Sequence, residues 1–259
     1  MKYYIPTYED CIEIVNNNPD MYFYERRYVI DSYKLSTFGY RYASYNNFIL
    51  PILDNWNIRA LELKGITYVF DDNGDYKHYL LLPKFWEINQ YSHCSYDLYK
   101  NEKIKNITTK EDGHLISFLY LPNGEIISFD KHGIDQNVNL DANEFLKDKN
   151  YYNFIKKCLD NDIQPIFEHV NQTKIVKYGK NDLILLKLRN RLNGKFLDIS
   201  DFNTDGIKVV NEIDSTLDNL LIRAMQDTEI EGWVVHFESD ILLKVKTKWW
   251  RNKKNEKIL

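Results

Sequence analysis

The sequence predicts an α+β protein built on antiparallel sheets, and three observations carry that prediction. Apolar and aromatic residues cluster in short stretches of period two, rich in Tyr, Val and Ile. Turn signals such as Asn73-Gly74 and Asn123-Gly124 separate neighbouring stretches, as antiparallel hairpins require. Helical patterns are few and interrupt the strands rather than alternating with them. With no internal repeat or linker-like tract, residues 1–259 are expected to form one domain, with an aromatic-rich N-terminal subregion over about 1–57.

In chain order, residues 7–17 read as a short helix, capped by Thr7 with Asp10 three residues on and ended by Asn16-Asn17-Asn18-Pro19. Residues 21–45 alternate with many tyrosines and read as strands. Residues 58–70 read as strand, kink at Gly65, strand, and Asp71–Gly74 as a hairpin turn. The loop Pro83-Lys84-Phe85-Trp86 fits a cation placed beside aromatics, and equally an ordinary loop at the edge of the core. Thr108–Gly113 reads as strand end and tight turn, followed by a strand to about Tyr120, the Pro122-Asn123-Gly124 turn and a return strand over 125–129. Residues 141–161 have helical spacing and form one helix or two short ones. A strand over 164–170 precedes a meander of 174–178 and 183–188, then a polar loop from Asp198 to Asp205. A helix over 214–226 places Leu217, Leu220, Leu221 and Met225 on one face. The last strands are 232–237 and 241–246, followed by a basic, aromatic end, Lys248–Lys254, which fits either a nucleic-acid contact or a frayed tail.

Composition narrows the function classes. A net charge of −4 excludes a polycation, so any nucleic-acid surface must be a local basic patch. Cys11, Cys94 and Cys158 lack C-x-x-C spacing and read as reduced thiols of a cytoplasmic protein. The polar, acidic N-terminus is no signal peptide. No apolar run approaches the roughly 20 residues of a membrane span.

Four placements are unusual. Lys110 stands in Lys-Glu-Asp-Gly, where a solvated turn and a nucleophile at the mouth of a sheet are both consistent readings. Glu168 interrupts the apolar strand Ile-Phe-Glu-His-Val, and Glu231-Gly232 precedes a strand. Lys244 and Lys246 alternate with Leu243 and Val245 and therefore share one side of a strand. Each has an ordinary alternative alone: a paired buried acid, a turn, a charged strand edge.

Their order resembles motifs I, III, IV and V of the covalent nucleotidyltransferases, the polynucleotide ligases and mRNA capping enzymes. The resemblance narrows to the RNA ligase 1 family of T-even bacteriophages. Tyr40-Arg41-Tyr42-Ala43-Ser44-Tyr45, Leu50-Pro51, Leu63-Lys64-Gly65-Ile66, Lys84–Asn89 and Thr109–Gly113 match its segments. So do Phe167-Glu168, Lys174-Ile175-Val176, Glu212–Ser215, Glu231-Gly232 and Lys244-Val245-Lys246 followed by Trp249.

The resemblance implies a nucleotidyltransferase fold whose antiparallel sheets frame an ATP cleft. It implies an ATP-dependent RNA ligase that joins 5′-phosphate and 3′-hydroxyl RNA ends, single-stranded or nicked, in RNA repair. Lys110 would carry AMP as a lysyl phosphoramidate, and AMP would then pass to RNA. Glu168, Glu231, Lys244 and Lys246 would share the catalysis. Asp112, Glu168 and Glu231 would hold Mg2+ or Mn2+, largely through water. Tyr40, Lys64, Lys84, Glu111, Asp112, Gly113, Lys131 and Val234 would bind the nucleotide or its phosphates. Nearby cations, supplied by Lys244 and Lys246, and a divalent metal would favour a neutral, nucleophilic Lys110, whose reference pKa is about 10.4. A polynucleotide kinase/phosphatase acting upstream is the expected partner, with no membrane involved, and the host cytoplasm is the expected location if the chain is viral.

Two residues depart from the family pattern: Lys64 replaces arginine, losing the planar fork, and His114 replaces serine. The family's helical C-terminal specificity domain is expected to be absent, leaving a minimal ligase or a shortened chain. Two rivals are a GTP-using capping-type enzyme and a non-catalytic RNA-binding remnant.

Overall fold

The computed structural model describes residues 4–17, 23–41, 60–134 and 137–256. The matched residues Tyr42–Tyr45 and Leu50-Pro51 lie outside these. Helix α1 (Tyr8–Asn16) begins where the sequence places it. The Thr7 hydroxyl accepts from the Asp10 N–H, and the Asp10 carboxylate accepts from the Thr7 N–H. Its Cys11 and Ile14 pack on the first sheet, β1 (Phe23–Ile30), β2 (Tyr33–Tyr40), β3 (Ile66–Phe70) and β4 (Tyr76–Tyr79), in the order β1-β2-β3-β4. The strand expected just before Gly65 is a turn instead, closed by the Leu63 N–H to the Ala60 carbonyl. Glu62 in this turn pairs bidentately with the buried Arg189, which fixes the turn to the body of the protein.

The chain continues through β5 (Trp86–Glu87), α2 (Tyr96–Tyr99), β6 (Ile104–Lys110), β7 (His114–Tyr120) and β8 (Ile126–Asp130). The predicted helical region resolves into α3 (Asn137–Asn143), a 3-10 turn, and α4 (Lys149–Asp160), which restarts because Asp148 caps it through the Asn150 N–H. Next come β9 (Ile163–Val170), β10 (Asp182–Asn190), β11 (Phe196–Leu197), β12 (Lys208–Val209) and α5 (Leu217–Gln226). The described chain closes with β13 (Gly232–Phe237), β14 (Leu242–Lys246) and α6 (Lys248–Glu256).

The second sheet has the order β11-β10-β9-β7-β8, with β12 parallel to β10. The third is β5-β14-β13-β6, with β5 parallel to β14. Every other pairing in the three sheets is antiparallel, as predicted. The second sheet buries Phe118, Phe129, Phe167 and Leu185 against Phe154 and Ile155 of α4. The third buries Trp233, Val235 and Val245 against Leu217, Leu220 and Ala224 of α5. Met225 is 62 % exposed; the i, i+3, i+7 stripe runs through Ala224, a turn position that leaves Met225 outside it.

Three further expectations are corrected. Residues 111–113 do not close a hairpin: β6 pairs with β13, whereas β7 pairs with β8 and β9. The segment is a crossover between sheets. Residues 174–178 form no strand, because the Ile175 and Val176 amides bond to the Asp112 carboxylate rather than to a neighbouring strand. The basic C-terminal stretch is not a frayed tail but α6, with Trp250 buried.

Candidate active site

The register of the third sheet aligns the unusual residues. Lys110, Gly232 and Lys246 are opposite one another across β6, β13 and β14, and Thr108, Val234 and Lys244 form the next rank. The two-residue period puts both ranks on one face. Gly232 has φ 145°, and a Cβ there would lie 2.0 Å from the Val245 carbonyl oxygen. Only glycine allows β13 to start so close to β14. The preceding Glu231 is thereby turned between two lysines. Its Oε2 lies 2.8 Å from Lys110 Nζ and its Oε1 2.8 Å from Lys246 Nζ.

The second sheet supplies the facing wall. Glu168 on β9 is paired with Leu115 and Ile184, and its Oε1 accepts from the Gly113 N–H at 2.9 Å. A Cβ on Gly113 would lie 2.3 Å from the His169 carbonyl oxygen. The glycine therefore serves close approach of the crossover to β9, not the tight turn expected. Leu186 and Lys187 of β10 lie on the same wall.

A third side comes from the turn at 60–65, the loop before β5 and the end of β8. Lys64, Leu82, Phe85, Asp130 and Lys131 line it. Lys244 Nζ is 4.2 Å from the centre of the Phe85 ring and donates to the Phe85 carbonyl at 3.0 Å. Lys64 Nζ is 5.3 Å from the same ring. The sequence reading of this loop as a place where cations meet aromatics therefore matches the geometry. Together the three sides enclose a cleft of ≈ 230 Å³.

Among the residues singled out in the sequence, Lys64, Lys110, Glu111, Gly113, Lys131, Glu168, Val234, Lys244 and Lys246 line this cleft. Glu231 contacts two of its lysines from behind. Tyr40 and Lys84 are not lining residues; they pair with each other, the ammonium 5.3 Å from the ring centre. Glu111 accepts from the Tyr178 hydroxyl at 2.9 Å. Asp112 points away: its Oδ2 accepts from the Ile175 and Val176 amides at 2.9 and 3.0 Å. One oxygen of that carboxylate holds the 174–178 loop, and Asp112 is not among the residues that line the cleft.

The electrostatics separate the lysines. Burial works to lower the pKa of Lys110, but Glu231 and then Glu168 outweigh it and leave it above the ordinary lysine value. The expectation that neighbouring cations make Lys110 neutral is therefore overturned for the protein alone. Burial, reinforced by Lys64, Lys110 and Lys84, holds Lys244 well below the ordinary value. Lys64 falls to about 7 through burial, then Lys84 and Lys131. Burial lifts Glu168 to about 7, opposed by Lys110. His114, also a lining residue, is pushed down to about 4 by burial and then Lys174, and presents a neutral imidazole. The cleft thus combines a carboxylate-held ammonium with several poorly solvated amines, a set of groups that attracts a polyanion.

Among the described residues, no group of three or more His, Cys, Asp or Glu is placed to hold a metal ion. Both Glu231 oxygens are taken by lysines, while the second oxygen of Glu168 has no hydrogen-bond partner among the described residues. That donor set fits a hard cation that arrives on phosphate oxygens, keeps waters and takes one carboxylate.

Sequence reasoning missed two features. Phe85 is the ring shared by two cations, although its loop was noticed. Lys187 was missed entirely. The signal was available: it is the lone charge in Leu183-Ile184-Leu185-Leu186-Lys187-Leu188, as Glu168 is in its own strand.

Comparison with known proteins bears on this arrangement. An archaeal ATP-dependent RNA ligase, in two solved forms, superimposes with TM-scores of 0.62 and 0.61 at 12 % and 11 % identity. The matches cover 96 % and 95 % of this chain. An apo mutant of the Naegleria gruberi RNA ligase gives a TM-score of 0.51 at 14 % identity, covering 67 % of this chain and 57 % of that one. The chain spans 64 % and 62 % of the two archaeal structures. At such identities the likeness is one of fold. No helix among the described residues is long and apolar enough to cross a membrane. The family model for RNA ligase matches residues 66–257, a span that holds Lys110, Glu168, Glu231, Lys244 and Lys246 together with the three strands that align three of them; the chain belongs to the RNA ligase family.

Proposed function

We propose that this chain is an ATP-dependent RNA ligase acting through a covalent lysyl-AMP. The observation that carries the reading is Lys110 held by Glu231 and flanked by Lys246 and Lys244 in one cleft. The archaeal structures that share the fold are described as ATP-dependent RNA ligases, which supports the choice of nucleotide.

In the first step the Lys110 amine bonds to the α-phosphorus of ATP and the bond to pyrophosphate breaks. The ammonium proton must leave first, and Glu231 Oε2, at 2.8 Å, is the oxygen placed to receive it. Lys64, Lys244 and Lys246 draw in the phosphates and balance charge that grows on them. A divalent metal carried on the nucleotide would add positive charge there, with Glu168 as its one protein carboxylate. In the second step an RNA 5′-phosphate oxygen bonds to the same phosphorus and the N–P bond breaks, restoring Lys110. In the third step an RNA 3′-hydroxyl attacks the activated 5′-phosphate and AMP leaves. Lys131, at the cleft margin, is assigned to the RNA phosphate.

Such an enzyme consumes broken RNA ends, so a repair role follows, with a kinase/phosphatase supplying 5′-phosphate and 3′-hydroxyl groups. Incubation with ATP labelled at the α-phosphate should give a protein adduct that withstands alkali and is released by acid, as a phosphoramidate is, and Lys110→Ala should abolish it. Label on the Lys110→Ala variant would sink the covalent mechanism. A wild type labelled only by GTP would favour the capping-type rival, and one labelled by neither would favour the RNA-binding remnant.

A further inference from the structure

We infer that Lys187, held by Asn106, reads the Watson–Crick edge of the adenine and makes the cleft select ATP over GTP. The inference rests on the ligase reading above and adds the residue that chooses the base.

Lys187 lies on a β-bulge. Leu185 is opposite Phe167 and Lys187 is opposite Ile166, so Leu186 is the extra residue. A bulge re-aims side chains, and both Leu186 and Lys187 line the cleft. Lys187 is 6 % exposed. Its ammonium donates to Asn106 Oδ1 at 2.9 Å and has no carboxylate within ion-pair distance among the described residues. An ammonium has three donors, so two have no acceptor among the described residues. Burying a charge against one neutral amide is costly, and open donors on a cleft wall point to an acceptor on the ligand.

The neighbour has a fixed orientation. Asn106 Nδ2 donates to Glu212 Oε1 at 3.0 Å, which turns Oδ1 toward Lys187 and leaves it a second lone pair. A donor that lines the cleft and an acceptor just beyond its lining residues thus stand side by side. Asn106 is two residues past Thr108 on the Lys110 face of β6, about 13 Å along the strand from Lys110 at 3.3 Å per residue. A nucleotide with its α-phosphate at Lys110 would run its base along this direction, with Val234 on one wall and Leu115 and Leu186 on the other. Adenine presents an acceptor at N1 beside a donor at N6. Lys187 meets the first and Asn106 Oδ1 the second. Guanine reverses both, with N1–H and O6, and sets donor against donor.

The test uses the chain of residues 1–259 and follows label transfer to Lys110 from ATP, 1-deaza-ATP and GTP. Wild type should favour ATP over 1-deaza-ATP on the order of tenfold in kcat/KM, as one charge-assisted hydrogen bond warrants. Lys187→Met should label from ATP and 1-deaza-ATP at equal rates. Equal use of the two nucleotides by wild type overturns the inference, and that comparison needs no variant to fold. A folded Lys187→Met protein that keeps the wild-type ATP preference overturns it as well. Absence of label from every nucleotide would instead overturn the ligase reading, and this inference with it.

Discussion

Lys110 Nζ is held 2.8 Å from Glu231 Oε2, and this contact decides the protonation state of the residue expected to attack. Burial alone would lower the lysine pKa; Glu231 is the largest influence raising it. Glu231→Gln removes the anion and keeps the shape. The Lys110 amine should then become reactive at lower pH than in wild type. Peptide-resolved mass spectrometry after amine acylation at a series of pH values would measure this. An unchanged or higher midpoint for Lys110 would show that Glu231 does not set its charge.

Glu168 is strained in the opposite sense. Its ordinary pKa of 4.5 rises to about 7 in the folded protein, chiefly through burial. The sign follows from linkage: between pH 4.5 and about 7 the folded state binds the proton more tightly than the unfolded state. Stability from this group is therefore greatest below 4.5, falls as pH rises through about 7, and is flat above. Glu168→Gln should stabilise the protein at pH 8, on the order of 2 kcal/mol, and leave it unchanged near pH 4. Thermal unfolding at the two pH values checks this, and equal effects at both would contradict it. Under the proposed mechanism ligation should be lost at both pH values, and Glu168 would then be an acid kept for function at a cost in stability.

Gly113 holds the crossover against β9. A methyl group there would meet the His169 carbonyl oxygen at 2.3 Å and Glu168 Cγ at 2.7 Å, and neither the backbone nor a packed strand yields cheaply. Gly113→Ala should cost about 1–3 kcal/mol in chemical denaturation. Label transfer should also fall in protein that remains folded, because Glu168 must move. A variant with wild-type stability and labelling would show that β9 can step aside.

Much of this site could be read from the chain, because its strands announce their faces. The alternation of Lys244 and Lys246 put both on one side, and an acid inside an apolar strand marked Glu168. Which strand lies beside which could not be read. β6 and β7 are consecutive and only three residues apart, yet they join different sheets, and local pattern carries no record of the partner strand. Asp112 shows the same limit. Its carboxylate is taken by amides 63 residues further on, a contact no motif spacing encodes. The charge on Lys110 in the protein alone has a related cause: the sequence shows the cations near it, but not the 2.8 Å contact with Glu231 that keeps its pKa raised.

Lys246 is held from two directions. Glu231 takes its ammonium on one side, and the Trp250 ring centre lies 4.0 Å from Nζ on the other. The ring is fixed by the start of α6. The Trp250 N–H donates to Thr247 Oγ1 at 3.1 Å, and that hydroxyl donates to the Ile230 carbonyl at 2.8 Å. The Thr247 N–H bonds to the Glu231 carbonyl at 2.9 Å. One short segment therefore ties the helix, the lysine and the carboxylate together. Trp250→Phe keeps an aromatic face and should retain most of the labelling rate. Trp250→Leu removes it, and a cation–π contact of about 1 kcal/mol predicts a rate several-fold lower. The difference should appear in single-turnover labelling at saturating ATP, where binding no longer contributes. Equal rates for both variants and wild type would show that the helix carries no part of the positioning of Lys246.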